Sequence, residues 1–299
     1  MDFIRPGTQI EFMKYRKIAM GISAALIIIS IVALLTKGLN YGIDFTGGTE
    51  IQVAFSETVQ TDEVRSAISP LGLADAVIQN IGEAGDNEFL IRTPVEGDSG
   101  DETAKQMEAA LKDTFGAEKV EIRRVDMVGA AVSQDLKQKG FLALFYAGIG
   151  ILIYVWFRFA LRYSVSAVLA LVHDVVITLG AFSLTGREIS LPVIAAFLTI
   201  IGYSLNDTIV IFDRIRENLK KASGSFDVLS LLNSSISQTL SRTIITSATA
   251  LFVIVALFIF GGSVINDFAF AIMVGLIVGT YSSIFIASPL LLLFSRREK

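Results

Sequence analysis

Six long apolar stretches constrain this chain more than any other feature of its sequence. A helix needs about 20 residues to cross the hydrocarbon core of a membrane. Since 53% of the residues are hydrophobic and the mean hydropathy is +0.62, we predict an α-helical polytopic membrane protein with six transmembrane helices. The predicted helices lie near residues 18–36, 141–157, 164–184, 191–212, 243–260 and 268–294.

The positions of lysine and arginine predict which ends of these helices face the cytoplasm. Basic residues flank the start of the first stretch, the turn near 158–162, the segment after residue 212 and the C-terminus, whereas the short outer loops contain only Arg187. Cytoplasmic flanks carry the excess of lysine and arginine. We therefore expect residues 1–17 and 295–299 in the cytoplasm and residues 37–139 on the far side of the membrane.

Residues 37–139 have the composition of a water-soluble domain with its own linkers. Helical spacing predicts two helices in it, at 61–71 and 101–115, with Thr61 as the cap of the first. The order β-α-β-β-α-β is that of an α+β ferredoxin-like domain, here placed between transmembrane helices 1 and 2. Its four predicted strands are 49–55, 76–81, 88–93 and 120–125.

A glycine-rich linker joins the first transmembrane stretch to this domain. Gly47 and Gly48 are expected to form a turn that leads into a strand, because glycine adopts backbone angles that other residues avoid. No Lys-Ser or Lys-Thr pair follows the glycines, as a phosphate-binding P-loop requires. We therefore predict that Gly42, Asp44, Gly47 and Gly48 serve as a linker or hinge.

Asp207 is a carboxylate in the middle of the fourth apolar stretch, and Arg242 opens the fifth. An ionisable residue inside a membrane is a functional-site hypothesis by default. A carboxylate in a medium of low dielectric with an arginine nearby can take up and release a proton. We predict that the two residues form a proton-coupling site; the alternative is a static ion pair that holds the helices together.

Polar residues at helical spacing extend this predicted site. On the fourth stretch they are Tyr203 and Ser204, and on the fifth they are Thr246 and Thr249. Residues three or four positions apart share a helix face, so we expect two polar stripes that line a water path. Asn206, next to the carboxylate, is a further candidate for the proton relay.

His173 and Asp174 form a second group of ionisable residues, on the third apolar stretch. Histidine titrates near neutral pH, and an adjacent carboxylate can tune it. Consecutive residues of a helix point about 100° apart, so the sequence leaves open whether the two side chains meet. Both are candidates for the relay, with packing of the helix bundle as the alternative for His173.

Residues 224–241 form an amphipathic segment between the fourth and fifth stretches. The pattern predicts a short helix that lies on the cytoplasmic surface of the membrane. Its apolar residues recur at helical spacing, and they are Phe226, Leu229, Leu232, Ile236 and Leu240.

Several motifs of the chain resemble those of the SecF family of protein-export membrane proteins. The likeness runs from about Ile10 to the C-terminus, and the run from Gly202 to Asn218 is specific enough to indicate the family by itself. The motifs are Ile10 to Lys17, Gly42 to Thr49, Val172-His173-Asp174, Gly202 to Asn218, Ser241-Arg242-Thr243 and Phe260-Gly261-Gly262.

This resemblance implies a function that residue spacing alone does not predict. It implies a partner SecD, association with the SecYEG channel, SecA and membrane-insertion factors, and use of the proton-motive force to help move a preprotein across the cytoplasmic (inner) membrane of a bacterium or archaeon. It also implies membership of the resistance-nodulation-division superfamily. Carried over residue by residue, the proton-coupling acid of the family falls on Asp207 and its arginine on Arg242.

The residue inventory argues against several other classes of protein. The chain has one histidine and no cysteine, which leaves no constellation for a metal enzyme, and its basic residues do not form a nucleic-acid patch. We expect no enzyme activity, no cofactor and no nucleic-acid partner, with the proton as coupling ion and sodium as an alternative. Two other hypotheses stay open: a proton-coupled exporter of small molecules or lipids, and a non-conducting assembly subunit of the translocon.

Overall fold

The structure is a computed structural model that describes residues 9–73, 76–81, 87–94, 100–159, 161–222 and 226–295. The chain divides into two compact units. The membrane unit comprises Met1–Asn40 and Ala143–Lys299, and the other unit, called here the α+β domain, comprises Tyr41–Leu142.

Six helices in the described ranges are long and apolar enough to cross a membrane. They are Arg16–Thr36, Ala130–Arg158, Leu161–Thr185, Leu191–Lys221, Val228–Phe260 and Ile265–Leu292. The last of them includes the π-helical segment Ser283–Ala287. The predicted class of six-span membrane protein with an additional domain is confirmed. The helices are α1 (Arg16–Thr36), α2 (Ile43–Thr46), α3 (Thr61–Ile68), α4 (Gly100–Phe115), α5 (Ala130–Arg158), α6 (Leu161–Thr185), α7 (Leu191–Lys221), α8 (Val228–Phe260), α9 (Gly262–Ser282) and α10 (Ser288–Ser295).

Helices α5, α7 and α8 extend beyond their predicted spans, and α7 continues past the predicted end at 212 to Lys221. Helix α5 begins at Ala130, well before the predicted span 141–157, because hydropathy locates only the apolar part of a helix. The surface helix expected at 224–241 is wrong: α8 runs without a break from Val228 to Phe260. Leu232, Ile236 and Leu240 are buried in the core of the membrane unit. An amphipathic pattern does not distinguish an apolar face that meets lipid from one that meets protein.

The helices of the membrane unit differ in how far their neighbours cover them. About half of the residues in the apolar parts of α6, α7 and the span Ile265–Leu292 are buried, whereas only 11% of those in α5 and in α8 are buried. Small residues let the inner helices approach closely: a Cβ added at Gly180 of α6 would lie 2.6 Å from the Cα of Ser30 in α1. The membrane unit therefore has a packed centre formed by α6, α7 and α9.

The α+β domain has the predicted β-α-β-β-α-β order. Its four strands β2 to β5 form an antiparallel sheet in the order β3-β4-β2-β5, in which Ile51 lies opposite Ile91 and Val125. Helices α3 and α4 bury Val64 and Met107 in the same core. The strands of the described residues are β1 (Asn40–Tyr41), β2 (Gly48–Phe55), β3 (Val77–Ile81), β4 (Glu88–Thr93), β5 (Val120–Val128) and β6 (Glu188–Ile189).

The cap of α3 is Gln60, and the prediction of Thr61 was wrong. The Gln60 side chain accepts a hydrogen bond from the backbone N–H of Glu63, and the Glu63 carboxylate accepts one from the backbone N–H of Gln60 at 2.8 Å. This reciprocal arrangement is a capping box, and it places Thr61 inside the first turn.

The glycine-rich linker forms a short helix followed by a tight turn. Gly42 precedes α2, which contains Asp44, and Gly47 and Gly48 follow it with φ of 72° and 139°. A Cβ at Gly48 would lie 2.3 Å from the carbonyl oxygen of Thr93, so this position requires glycine. The turn leads directly into β2, as expected; the hinge role of the four residues stays a prediction.

Candidate functional site

Asp207 lies near the middle of α7 and is 7% exposed. Its Oδ2 accepts a hydrogen bond from the Ser247 hydroxyl of α8 at 3.3 Å. The Ser247 hydroxyl in turn accepts one from Thr280 Oγ1 of α9 at 2.9 Å. These three residues, called here the Asp207 cluster, join three helices through one carboxylate that has a single, long hydrogen bond from the described side chains.

Asp174 of α6 is completely buried and has a much richer set of partners. Its Oδ2 accepts hydrogen bonds from the hydroxyls of Ser204 at 2.6 Å and Ser282 at 2.8 Å. Its Oδ1 lies 2.9 Å from Nδ1 of His173. These four residues, called here the Asp174 cluster, connect α6 to both α7 and α9.

His173 and Asp174 are in contact although they are consecutive residues of one helix. The imidazole ring is stacked on Tyr281, with ring centroids 6.4 Å apart. Its Nε2 is buried and has no hydrogen-bond partner among the described residues. The Tyr281 hydroxyl donates to the carbonyl of Ala19 at 2.6 Å. The side chains of His173 and Asp174 therefore do meet, which the sequence left open. The Nε2 atom of His173 remains without a hydrogen-bond partner among the described residues.

The two clusters share the helices α7 and α9. Ser204 and Asp207 are three residues apart on α7, so they lie on one helix face. Thr280 and Ser282 belong to the last span, on α9. Gly279 brings this span against α7, since a Cβ added there would lie 3.0 Å from the Cβ of Ser204. The two clusters therefore form one polar layer where α7 meets α9.

Arg242 is exposed on α8, and among the described residues no ion pair joins it to Asp207. It lies five residues before Ser247, which is about 7.5 Å along the axis of a helix. The structure therefore places the predicted acid and the predicted arginine on adjacent helices but does not bring their charges into contact. In this arrangement the alternative of a static ion pair has no support.

The other predicted relay residues divide into two groups. Ser204 faces the polar layer, whereas Tyr203 and Asn206 are exposed. The hydroxyls of Thr246 and Thr249 donate to backbone carbonyls of their own helix, at 2.9 Å to Arg242 and Ile245 respectively. Tyr203 and Thr249 are exposed and form no hydrogen bond with Asp207 among the described residues, so the water path stays a prediction.

Sequence reasoning missed three hydroxyl residues of the two clusters: Ser247 and Ser282 bond to the carboxylates, and Thr280 bonds to Ser247. A hydroxyl in an apolar helix is a weak signal by itself, because it can bond to its own backbone. The described residues contain no group of three or more His, Asp or Glu side chains that could hold a metal ion.

Two family models match this chain. The model described as protein export membrane protein SecD/SecF, C-terminal, matches residues 106–297. The SecD/SecF GG motif matches residues 32–59, the segment that contains Gly47 and Gly48.

Proteins named protein translocase subunit SecF are similar to the chain over nearly its whole length. The chain is 49% identical over 295 residues to that of Desulfurispirillum indicum, with 96% of this chain and 92% of the relative covered. It is 47% identical over 292 residues to that of Vibrio alginolyticus, with 97% and 91% covered.

Solved structures of SecDF are also similar. The crystal structure of SecDF, a translocon-associated membrane protein from Thermus thermophilus, has a TM-score of 0.88 at 38% identity and matches 99% of this chain. The crystal structure of SecDF in super-membrane-facing form has a TM-score of 0.70 at 37% identity, again over 99% of this chain. In both cases the chain spans 40% of the length of the solved chain.

Proposed function

The chain belongs to the SecF family of protein-export membrane proteins, and we propose that it uses the proton-motive force to assist Sec-dependent translocation of preproteins as the SecF-like partner of a SecD protein. It is a multi-pass membrane protein and an accessory subunit of Sec translocation rather than an enzyme. In this proposal, protonation and deprotonation of Asp207 shift the bundle between two arrangements.

The contrast between the two carboxylates supports this proposal. Burying a charge is costly unless hydrogen bonds compensate it, and Asp207 receives one hydrogen bond of 3.3 Å from the described side chains whereas Asp174 has three partners. Asp207 is therefore the carboxylate suited to gain and lose a proton. One proton that crosses 100 mV delivers about 2.3 kcal/mol, which is enough to bias two arrangements of similar free energy.

Movement of α8 relative to α7 would connect Arg242 to this cycle. The arginine is on the same helix as Ser247, which already contacts Asp207, so a shift of about 7.5 Å along α8, or rearrangement of its long side chain, would bring the charges together. The two SecDF structures match this chain with TM-scores of 0.88 and 0.70 at nearly equal identity. They therefore differ from each other in conformation, which supports a cycle with at least two states.

The exposed faces of α5 and α8 support a SecD partner. Only 11% of the residues in the apolar part of each of these two helices are buried, and a largely uncovered apolar face marks an interaction site or a lipid contact. The chain spans 40% of the solved SecDF chains, which leaves the greater part of such a complex to SecD. Association with SecYEG, SecA, membrane-insertion factors and the preprotein also belongs to the proposal.

The location and the coupling ion follow from the same proposal. Both termini would lie in the cytoplasm and the α+β domain outside it, in the cytoplasmic (inner) membrane, because the basic flanks of the spans favour that side. The coupling ion would be the proton, with no other cofactor. Sodium is the alternative, and replacing sodium by potassium at a fixed proton-motive force distinguishes the two ions.

Export of a secretory preprotein in living cells tests the proposal. Cells depleted of the protein are resupplied with wild type, Asp207→Asn or Arg242→Met at matched levels, and preprotein processing is followed by pulse-chase labelling. We expect both variants to insert into the membrane and to lose most of the stimulated export. Gly202→Ala, on the same helix at a position where an added Cβ meets nothing within 4 Å, serves as the control and should export normally.

The same experiment distinguishes the other hypotheses. Normal export with Asp207→Asn would contradict proton coupling at this residue and favour a non-conducting assembly subunit. Normal export together with a loss of small-molecule or lipid efflux would favour an exporter instead.

A further inference from the structure

A basic cavity lies where α5, α6 and α7 meet, in a part of the membrane unit that the proposed function does not use. The cavity has a volume of about 460 Å³. Its basic lining consists of Arg158, Arg162, Arg216 and Lys220. No acidic residue lines it within the described part of the chain. Its position at the end of α5, the start of α6 and the last turns of α7 is where basic residues predict the cytoplasmic membrane surface.

Hydrogen bonds hold the walls of this cavity in place. Arg158 Nη2 donates to both carboxylate oxygens of Asp213, at 2.9 and 2.8 Å. Arg216 Nη1 donates to the backbone carbonyl of Arg158 at 3.3 Å, which joins the end of α7 to the end of α5. The guanidinium of Arg162 lies over the ring of Tyr163, 5.4 Å from its centroid. Contacts between α5 and α7 thus position Arg158 and Arg216, and a contact within α6 positions Arg162.

Two basic residues of the lining, Arg216 and Lys220, form no ion pair with an acid among the described residues. Of the acids of α7 near the cavity, Asp213 is paired with Arg158. Glu217 binds Arg214 at 2.9 Å and Lys221 at 2.7 Å, and both of these basic residues lie outside the lining. Arg216 and Lys220 therefore leave positive charge at the cavity, which an anionic ligand would neutralise.

We propose that this cavity binds the phosphate diester headgroup of an anionic glycerophospholipid. Guanidinium groups match phosphate in charge and geometry, and basic pockets between helices at the cytoplasmic surface suit anionic lipid headgroups. The apolar part of the lining favours a lipid over a soluble anion, because Phe157 and Leu219 add an apolar wall. Phe157 is 85% exposed, so an acyl chain has a path along the uncovered side of α5.

The single tryptophan of the chain gives a direct probe of this site. Trp156 is 57% exposed and its ring lies 6.0 Å from that of Phe157. The purified full-length protein is reconstituted into vesicles of phosphatidylcholine with increasing amounts of phosphatidylglycerol, and either lipid is supplied with brominated acyl chains that quench tryptophan fluorescence. The ratio of quenching by brominated phosphatidylglycerol to quenching by brominated phosphatidylcholine gives the preference of the protein surface next to Trp156 for the anionic lipid. We expect phosphatidylglycerol to be preferred about fivefold or more, since each nearby basic residue adds about that factor.

Two double variants with the same loss of charge separate the cavity from general surface charge. Arg216→Gln with Lys220→Gln removes two lining residues, whereas Arg214→Gln with Lys221→Gln removes two basic residues of the same helix that lie outside the lining. We expect the first pair to reduce the preference at least fivefold and the second to leave it within about twofold. Circular dichroism and gel filtration check that both remain folded.

Three results would overturn the proposal. Equal loss of the preference in both double variants would assign it to diffuse surface charge. No preference in the wild type would mean that the cavity does not take a lipid headgroup. Displacement of brominated phosphatidylglycerol by millimolar inorganic phosphate, but not by an equal concentration of sodium chloride, would indicate a soluble anion as the occupant.

Discussion

Asp174 and Asp207 are both buried carboxylates in the centre of one helix bundle, but their surroundings differ. Asp174 has two serine hydroxyls and an imidazole within 2.9 Å, and it connects three helices. Asp207 has one hydroxyl at 3.3 Å. Burial alone therefore does not define the role of an intramembrane acid; the number and length of its hydrogen bonds separate a fixed charge from one that can be exchanged.

The hydrogen-bonded clusters around the two carboxylates share the helices α7 and α9. The serine that bonds Asp174 lies three residues before Asp207 on α7, and Gly279 on α9 packs against that same serine. The well-bonded cluster thus holds α6, α7 and α9 together, while Asp207 faces α8, the less covered helix. This arrangement suits a rigid frame on one side of α7 and a movable helix on the other.

The largest expected difference in stability comes from replacing the two acids in turn. Asp174→Asn removes the charge that strengthens three contacts, and we expect it to lower the free energy of unfolding by about 3 kcal/mol. Asp207→Asn should change it by less than about 1 kcal/mol, since its lost hydrogen bond is long. Unfolding in mixed micelles, followed by circular dichroism, measures both. Equal losses would mean that the two sites do not differ as described.

Gly279→Ala should have a moderate effect that is confined to the Asp174 side. The added methyl would lie 3.0 Å from the Cβ of Ser204, so α7 and α9 must separate slightly, at a cost of about 1–2 kcal/mol in the free energy of unfolding. Gly202→Ala is the control, because a Cβ there meets nothing within 4 Å. A Gly279→Ala protein as stable as wild type would show that the helices at this point are not closely packed.

The smallest effect is expected for the hydroxyl that faces Asp207. Ser247→Ala removes a weak hydrogen bond and should reduce export two- to fivefold in the pulse-chase assay, which corresponds to about 0.5–1 kcal/mol. Stability should change little. Thr249→Ala, on the same helix but exposed and bonded to its own backbone, should match wild type. If the two variants behave alike, Ser247 has no part in the coupling.

The sequence predicted Asp207 correctly as a buried intramembrane acid because a carboxylate in a long apolar stretch is anomalous by itself. It did not predict Ser247, Thr280 or Ser282, since serine and threonine are tolerated in apolar helices and only the packing of three helices determines which hydroxyl meets a carboxylate. The role of Asp207 in proton coupling stays a prediction.

Helix packing also explains the wrong prediction for 224–241. Leu232, Ile236 and Leu240 have the spacing of a helix that lies on a membrane, but they are buried against other helices of the unit. Local propensity and spacing are identical in the two situations, so the distinction requires knowledge of the partner surface. In the α+β domain, by contrast, alternation and turn residues were enough, because alternate residues of β2, namely Ile51, Val53 and Phe55, are buried in the core of the same unit.

Infrared difference spectroscopy of the protein in membranes tests most directly whether Asp207, and not Asp174, is the acid that exchanges protons. The carbonyl stretch of a protonated aspartic acid is recorded as the pH is varied, with carbon-13 labelling of aspartate to assign the band. We predict one titrating band that disappears in Asp207→Asn and persists in Asp174→Asn. A band lost in Asp174→Asn and kept in Asp207→Asn would contradict the assignment of Asp207 as the proton-exchanging group.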